Sequence, residues 1–182
     1  SGHAESQFRL GCIYRDEEIV KDLHKAVHYF EQSASQDYVD AIIAYATCLK
    51  NGIGLKANKE EAFKQIQRAI ELKSVDAMII LANWYSSDTP RQYGLALSLL
   101  NKANENGHPD APAFIGSLLE KRKLNMAFSN EKVLEYYKDS CHRGSYEGMY
   151  HMATFYHYGI GIEVNHKEAA RLYYLASKCP MK

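Results

Sequence analysis

Apolar residues along this chain fall at helical intervals, and the interval pattern returns five times. Near the start, Phe8, Gly11 and Tyr14 recur at three-residue steps, with Leu10 four before Tyr14, which lines one face of a helix. A second pattern follows: Ala26, the pair Tyr29-Phe30 at +3 and +4, and Ser33 at +7, again on one helix face. The same layout restarts near Ala4, Val39, Val75, Pro109 and Tyr146, at spacings of 35, 36, 34 and 37 residues. A period of this size is what stacked helical hairpins produce, because one hairpin cannot bury its apolar face alone. The pattern predicts an all-α solenoid of five helix-turn-helix repeats, about ten helices, forming a single array over residues 4–182.

Individual positions carry the same message. Gly11 aligns with Ala46, Ala82, Gly116 and Ala153, and so small a residue at every copy predicts a close helix crossing. In the second helices a small or β-branched residue (Ala26, Ala62, Ala96, Val133, Ala169) precedes a bulky pair and then Ser33, Ala69, Ala103, Ser140 or Ala176. All four positions of this stripe are expected in the core, and its tyrosines read as packing rather than as a cofactor box. Asp22, Asn58, Gln92, Ser129 and Asn165 stand where helix caps belong, and Glu61 and Glu168 suggest capping boxes. In Asn51-Gly52-Ile53-Gly54 and Tyr158-Gly159-Ile160-Gly161, the first glycine suits a left-handed helix end and the second a tight turn. A phosphate loop would need a preceding strand and a longer motif, which these glycines lack.

Charge narrows the partners. Lys+Arg and Asp+Glu number 22 each, so nothing electrostatic favours nucleic acid or an anionic membrane. The longest apolar run, Ala77 to Ala82, is far too short to span a bilayer. Ser1-Gly2-His3 reads as an expression-tag remnant, so the native ends lie elsewhere. Cys12, Cys48, Cys141 and Cys179 are dispersed without a paired motif, which suits buried free thiols better than disulfides or zinc. With no Asn-x-Ser/Thr acceptor either, a reducing, cytoplasmic setting is the expectation.

Candidate chemistry is thin. Glu5, Asp40, Asp76, Asp110 and Glu147 hold the second position of each repeat and in register could form a ladder for a basic peptide or a metal, but the stronger reading is a first-turn carboxylate favoured by the helix dipole. Members of this series lie a whole repeat apart, too far to share a metal ion. His24 and His28 share a helix face, and His151 and His157 stand six apart, but neither pair has a third ligand at metal-site spacing. No nucleophile-base-acid arrangement can be drawn, so the expectation is a non-enzyme with no cofactor and no metal.

These residues resemble a known family. Leu10-Gly11 with Tyr14, Gly52 and Gly54, Tyr156 with Gly159 and Gly161, and Lys167-Glu168-Ala169-Ala170 are similar to the Sel-1-like repeat, a relative of the tetratricopeptide repeat. Repeats one, three and four depart from it, with residues 15–21, 86–92 and 120–128 in place of Gly-x-Gly. The resemblance implies a right-handed α-solenoid acting as an adaptor in protein complexes. By analogy with tetratricopeptide grooves, the concave face would carry Arg15, Asp16, Thr47, Lys50, Asn51, Asn83, Ser86, Ser87, Ser117, Glu120, Lys121, Thr154, His157 and Tyr158. That set is polar and of mixed charge, which suits an extended peptide partner. Alternatives within the resemblance are a kinase-linked or endoplasmic-reticulum quality-control segment of a larger protein, and a secreted bacterial type with enzyme-like activity, whose paired cysteines are missing here. A further possibility is self-association, or packing of more repeats, at the chain ends near Tyr173 and Leu175.

Overall fold

The computed structural model describes residues 2–122 and 130–178, and among them are ten α-helices and no strand. They are α1 (Gly2–Asp16), α2 (Leu23–Ala34), α3 (Val39–Asn51), α4 (Lys59–Glu71), α5 (Val75–Ser87), α6 (Tyr93–Glu105), α7 (Ala111–Arg122), α8 (Asn130–His142), α9 (Tyr146–Tyr158) and α10 (His166–Ala176). The chain divides into two compact units, Ser1–Ala77 and Met78–Lys182, with the boundary inside α5. In the first unit α1 packs on α2, α2 on α3 and α3 on α4; in the second α6 packs on α7, α7 on α8, α8 on α9 and α9 on α10. The hairpin order expected from the periodicity is the one found. Two starts differ: α1 begins at Gly2, ahead of Ala4, and α7 begins at Ala111, so Asp110 precedes its helix instead of lying in the first turn.

Close approach is real at the small positions. A Cβ on Gly11 would lie 2.6 Å from Phe30 Cε1, and one on Gly116 would lie 2.8 Å from Tyr137 Cε1. Both rings come from the +4 position of the partner helix, and both are fully buried. The same two hairpins share a second link. Ser33 Oγ donates to the Ala4 carbonyl at 2.7 Å, and Ser140 Oγ donates to the Pro109 carbonyl at 2.7 Å. In repeats two and three the corresponding trios are Ala46, Ile66 and Ala69, and Ala82, Leu100 and Ala103, all buried.

The buried stripe is narrower than the sequence pattern suggests. In α2, α4, α6 and α8 the +4 residue is buried, whereas the +3 residues Tyr29, Gln65, Leu99 and Tyr136 are only half-buried. In α10 the order reverses: Leu172 is buried and Tyr173 half-exposed. The physical reason is the crossing itself, which places one residue per turn directly over the glycine or alanine opposite.

Four of the hairpins are closed by the same backbone bond. The N–H groups of Asp22, Asn58, Gln92 and Asn165 donate to the carbonyls of Tyr14, Leu49, Tyr85 and Tyr156 at 2.7–2.9 Å. Each acceptor lies three residues after the small crossing position. The side chains of Asp22, Asn58 and Asn165 also cap their helices by accepting from Lys25, Glu61 and Glu168 N–H, while Gln92 makes no such bond. The capping boxes are one-armed, because the Glu61 carboxylate takes Gln65 at 2.8 Å and Glu168 takes Arg171 at 2.6 Å. Ser129 lies outside the described residues.

Gly52 and Gly159 end α3 and α9 in the left-handed conformation, at φ 71 and φ 68. The second glycines do more than ease a turn. A Cβ on Gly54 would lie 2.2 Å from the Leu23 carbonyl oxygen, and one on Gly161 would lie 3.2 Å from Asn130 Cβ. Each therefore seats its loop against the first residue of the preceding repeat's second helix. Between repeats a left-handed residue is again needed, and it is Asp37 (φ 60), Lys73 (φ 68), Gly107 (φ 79) or Gly144 (φ 81).

Candidate functional site

In the first unit the expected face residues are largely occupied with one another. Arg15 is paired with Asp16 at 2.7 Å, and Thr47 Oγ1 donates to the Ile43 carbonyl of its own helix at 2.9 Å. Lys50 is half-buried and Asn51, the last residue of α3, is exposed.

The second unit gathers its set differently. Asn83 and Ser86 on α5, Ser117 and Lys121 on α7, and Glu147 on α9 line one recess of about 90 Å³, floored by Ala82, Leu100, Phe114 and Leu118. Four of these polar residues were expected on the face; Glu147 was not. Its spacing of four from His151 was the missed signal, since residues so placed meet on one helix side. His151 Nε2 lies 3.3 Å from the Glu147 carboxylate. That hydrogen bond holds Glu147 below the usual carboxylate range, partial burial opposes it, and the Lys121 charge adds to the lowering. A recess with an ammonium, a carboxylate, an amide and two hydroxyls can both donate to and accept from a peptide backbone.

Other expected residues lie apart from it. Glu120 turns to the partner helix, where its carboxylate accepts a hydrogen bond from the Tyr137 hydroxyl. Burial first, and this bond second, push the Tyr137 phenol far above its ordinary range. Tyr137 also stacks on His151, ring centroids 4.4 Å apart and 5° from parallel. Ser87 Oγ binds the Asn83 carbonyl at 2.7 Å, and Thr154 Oγ1 meets the Tyr173 hydroxyl at 3.1 Å. His157 is exposed beside His166, centroids 5.3 Å apart, and Tyr158 is exposed next to it. Among the described residues no group of three or more His, Cys, Asp or Glu could hold a metal ion. Cys12, Cys48 and Cys141 are free, and burial raises each thiol's pKa, which makes them poor nucleophiles; Cys179 lies outside the described residues.

Beside the recess, sharing Phe114 and Glu147 with it, runs a larger groove of about 600 Å³ lined by aromatic side chains of α9 and α10.

The repeat profile named Sel1 repeat matches residues 4–38, 39–74, 75–108 and 147–180. The chain belongs to the Sel1 repeat family. Residues 109–146 fall outside the match, yet α7 and α8 there form a hairpin like the others. The chain is 27% identical over 158 residues to the rat (Rattus norvegicus) protein DAP3-binding cell death enhancer 1, covering 84% of this chain and 30% of that one. It is 28% identical over 147 residues to an uncharacterized protein of Neisseria meningitidis, covering 79% of this chain and 30% of the other. It thus spans under a third of the length of these curated relatives. Among solved structures, a Sel1 repeat protein from Oxalobacter formigenes superposes with a TM-score of 0.75 at 21% identity, over 96% of this chain and 72% of that one. The immunity protein Pa5087 of Pseudomonas aeruginosa gives 0.74 at 17% identity, over 97% and 66%. Identities this low speak for the shared Sel1 fold alone, a fold that typically serves as a non-enzymatic scaffold. Among the described residues no helix is long and apolar enough to cross a membrane.

Proposed function

We propose that this Sel1 chain is a protein-interaction module that holds an extended segment of a partner protein at the second unit. The observation that carries the reading is the recess. Asn83, Ser86, Ser117 and Lys121, from two helices a repeat apart, converge there with Glu147 from a third. None of these side chains closes a hairpin, so they are free to differ from one Sel1 protein to another. The name of the rat relative includes partner binding, which agrees in kind. Its greater length favours a segment within a larger protein, with the unpaired thiols favouring a cytoplasmic setting.

The test is affinity capture with the wild type and with the triple variant Asn83→Ala, Ser117→Ala, Lys121→Ala, followed by mass spectrometry. The variant should retain helicity and melting temperature while its specific partner drops at least tenfold. Undiminished capture by the triple variant, with loss on changing Tyr173 and Leu175, would move the site to the face of α10.

A further inference from the structure

We propose that the aromatic groove beside the recess is a docking surface for a basic, apolar-flanked peptide segment, an arginine or lysine side chain lying against Tyr146, Tyr150 and Tyr173 with its charge answered by Asp110 and Glu147. The groove shares Phe114 and Glu147 with the recess, while Asp110 and the tyrosine rings that carry this inference line the groove and not the recess.

Room is the first requirement, and about 600 Å³ is the size of a small-ligand pocket. Ring orientation is the second. Tyr150 meets Tyr173 edge-on, centroids 5.8 Å apart at 60°, and meets His151 edge-on at 5.5 Å and 75°. An edge-on contact covers at most one side of one ring's face and leaves the opposite side unstacked, whereas Tyr14 and Tyr29 lie parallel at 5.7 Å and 5°. An open ring face carries the negative side of the quadrupole and attracts cations. Tyr146 and Tyr150 are 38% and 52% exposed, much for aromatics on a helix whose neighbours Met152, Ala153 and Phe155 are buried.

Charge is the third requirement. Asp110 and Glu147 are the charged residues of the lining, and no lysine or arginine joins them, although the whole chain is neutral. An anionic segment would be repelled by Asp110 and Glu147 and an apolar one would desolvate them, with His151 and the Lys121 charge answering Glu147 in part, whereas a cation meets both the rings and the carboxylates. Cation-ring contacts already occur in this chain: the Lys178 ammonium lies 4.9 Å from the Tyr174 ring centre and that of Lys25 lies 5.3 Å from Tyr14.

The probe is the acetylated peptide amide Ala-Leu-Arg-Leu-Ala, titrated into ¹⁵N-labelled full chain and followed by amide shifts. Shifts should centre on residues 146–150 and 173–177 and weaken as salt rises. Replacing arginine by citrulline, a neutral isostere, should weaken binding at least tenfold. Tyr150→Ala and Asp110→Asn should each weaken it at least threefold, with unchanged melting. Equal binding of the citrulline peptide, shifts centred on Asn83 and Lys121, or no binding at millimolar peptide would each overturn the proposal. So would sedimentation showing that the free chain dimerises through this groove and that Tyr150→Ala dissolves the dimer.

Discussion

Repeats one and four cross their helices by one solution, and repeats two and three by another. The first sets glycine against an aromatic ring and ties the hairpin with a serine: Gly11, Phe30 and Ser33, then Gly116, Tyr137 and Ser140. The second sets alanine against an aliphatic residue and ends on alanine: Ala46, Ile66 and Ala69, then Ala82, Leu100 and Ala103. A crossing thus conserves the volume shared by two positions, not the identity of either, and dense packing makes that sum a constraint. The serine follows from the same choice. Its hydroxyl, fully buried, needs an acceptor, and a carbonyl at the start of the opposite helix (Ala4) or just ahead of it (Pro109) supplies one. Residues 109–146 lie outside the Sel1 match and still obey the first solution in all three positions.

The largest expected effect comes from violating that sum. Gly116→Leu drives a side chain into the Tyr137 ring and should destabilise by about 1–3 kcal/mol, read by urea unfolding. Gly116→Ala combined with Tyr137→Leu should recover part of the loss seen for Gly116→Ala alone, because it recreates the alanine-aliphatic solution. A double-mutant cycle showing no coupling would mean that the two solutions are unrelated.

A smaller effect is expected at the tie. Ser140→Ala leaves the Pro109 carbonyl without its hydroxyl donor and should cost about 1 kcal/mol, whereas Ala69→Ser in repeat two should give no matching gain. Equal responses at the two sites would erase the distinction.

How much of this was legible in the residues depends on where each partner stands. Periodicity, the small crossing positions and the caps at Asp22, Asn58 and Asn165 all rest on neighbours within one or two turns, and these the sequence displays. The narrowing of the buried stripe to the +4 residue depends on crossing angle, which no single helix records. Glu120 looked like a surface residue because its partner, Tyr137, is 17 positions away on another helix. Glu147 was assigned to the helix dipole, although His151 one turn later pointed to a second role. At the recess, the sequence named Asn83, Ser117 and Lys121 together with Ser86, whose hydroxyl donates to the Asn83 carbonyl at 3.0 Å, and it equally named Arg15 and Thr47, which are engaged locally away from any shared recess residue. Register alone does not separate a free side chain from a satisfied one.

The smallest effect concerns the turns between repeats, where the units also differ. The first unit places Asp37 and Lys73 in left-handed conformations, and the second places Gly107 and Gly144 there. Asp37 uses its side chain, taking Arg68 at 2.6 Å. Lys73 bears the left-handed strain on an exposed, long side chain. Lys73→Gly should therefore stabilise by about 0.5 kcal/mol, the relief of strain exceeding the added freedom of the unfolded chain. Asp37→Gly should not stabilise, and a gain there as large as at position 73 would show that the Arg68 pair is without value. Thermal melts of both variants decide it.

The backbone bond from each capping residue to the carbonyl three past the crossing has a consequence for the Sel1 chain as a platform. It forms whether the intervening segment carries Gly-x-Gly, as before Asn58, or a charged stretch such as residues 17–21 before Asp22. Closure is therefore insulated from what lies between the two anchor points. In the first repeat, residues 17–21 are exposed, with Ile19 at 97%. Foreign sequence grafted there would hang from an intact hairpin as an appendage, giving the array a place to acquire new recognition without reopening its core.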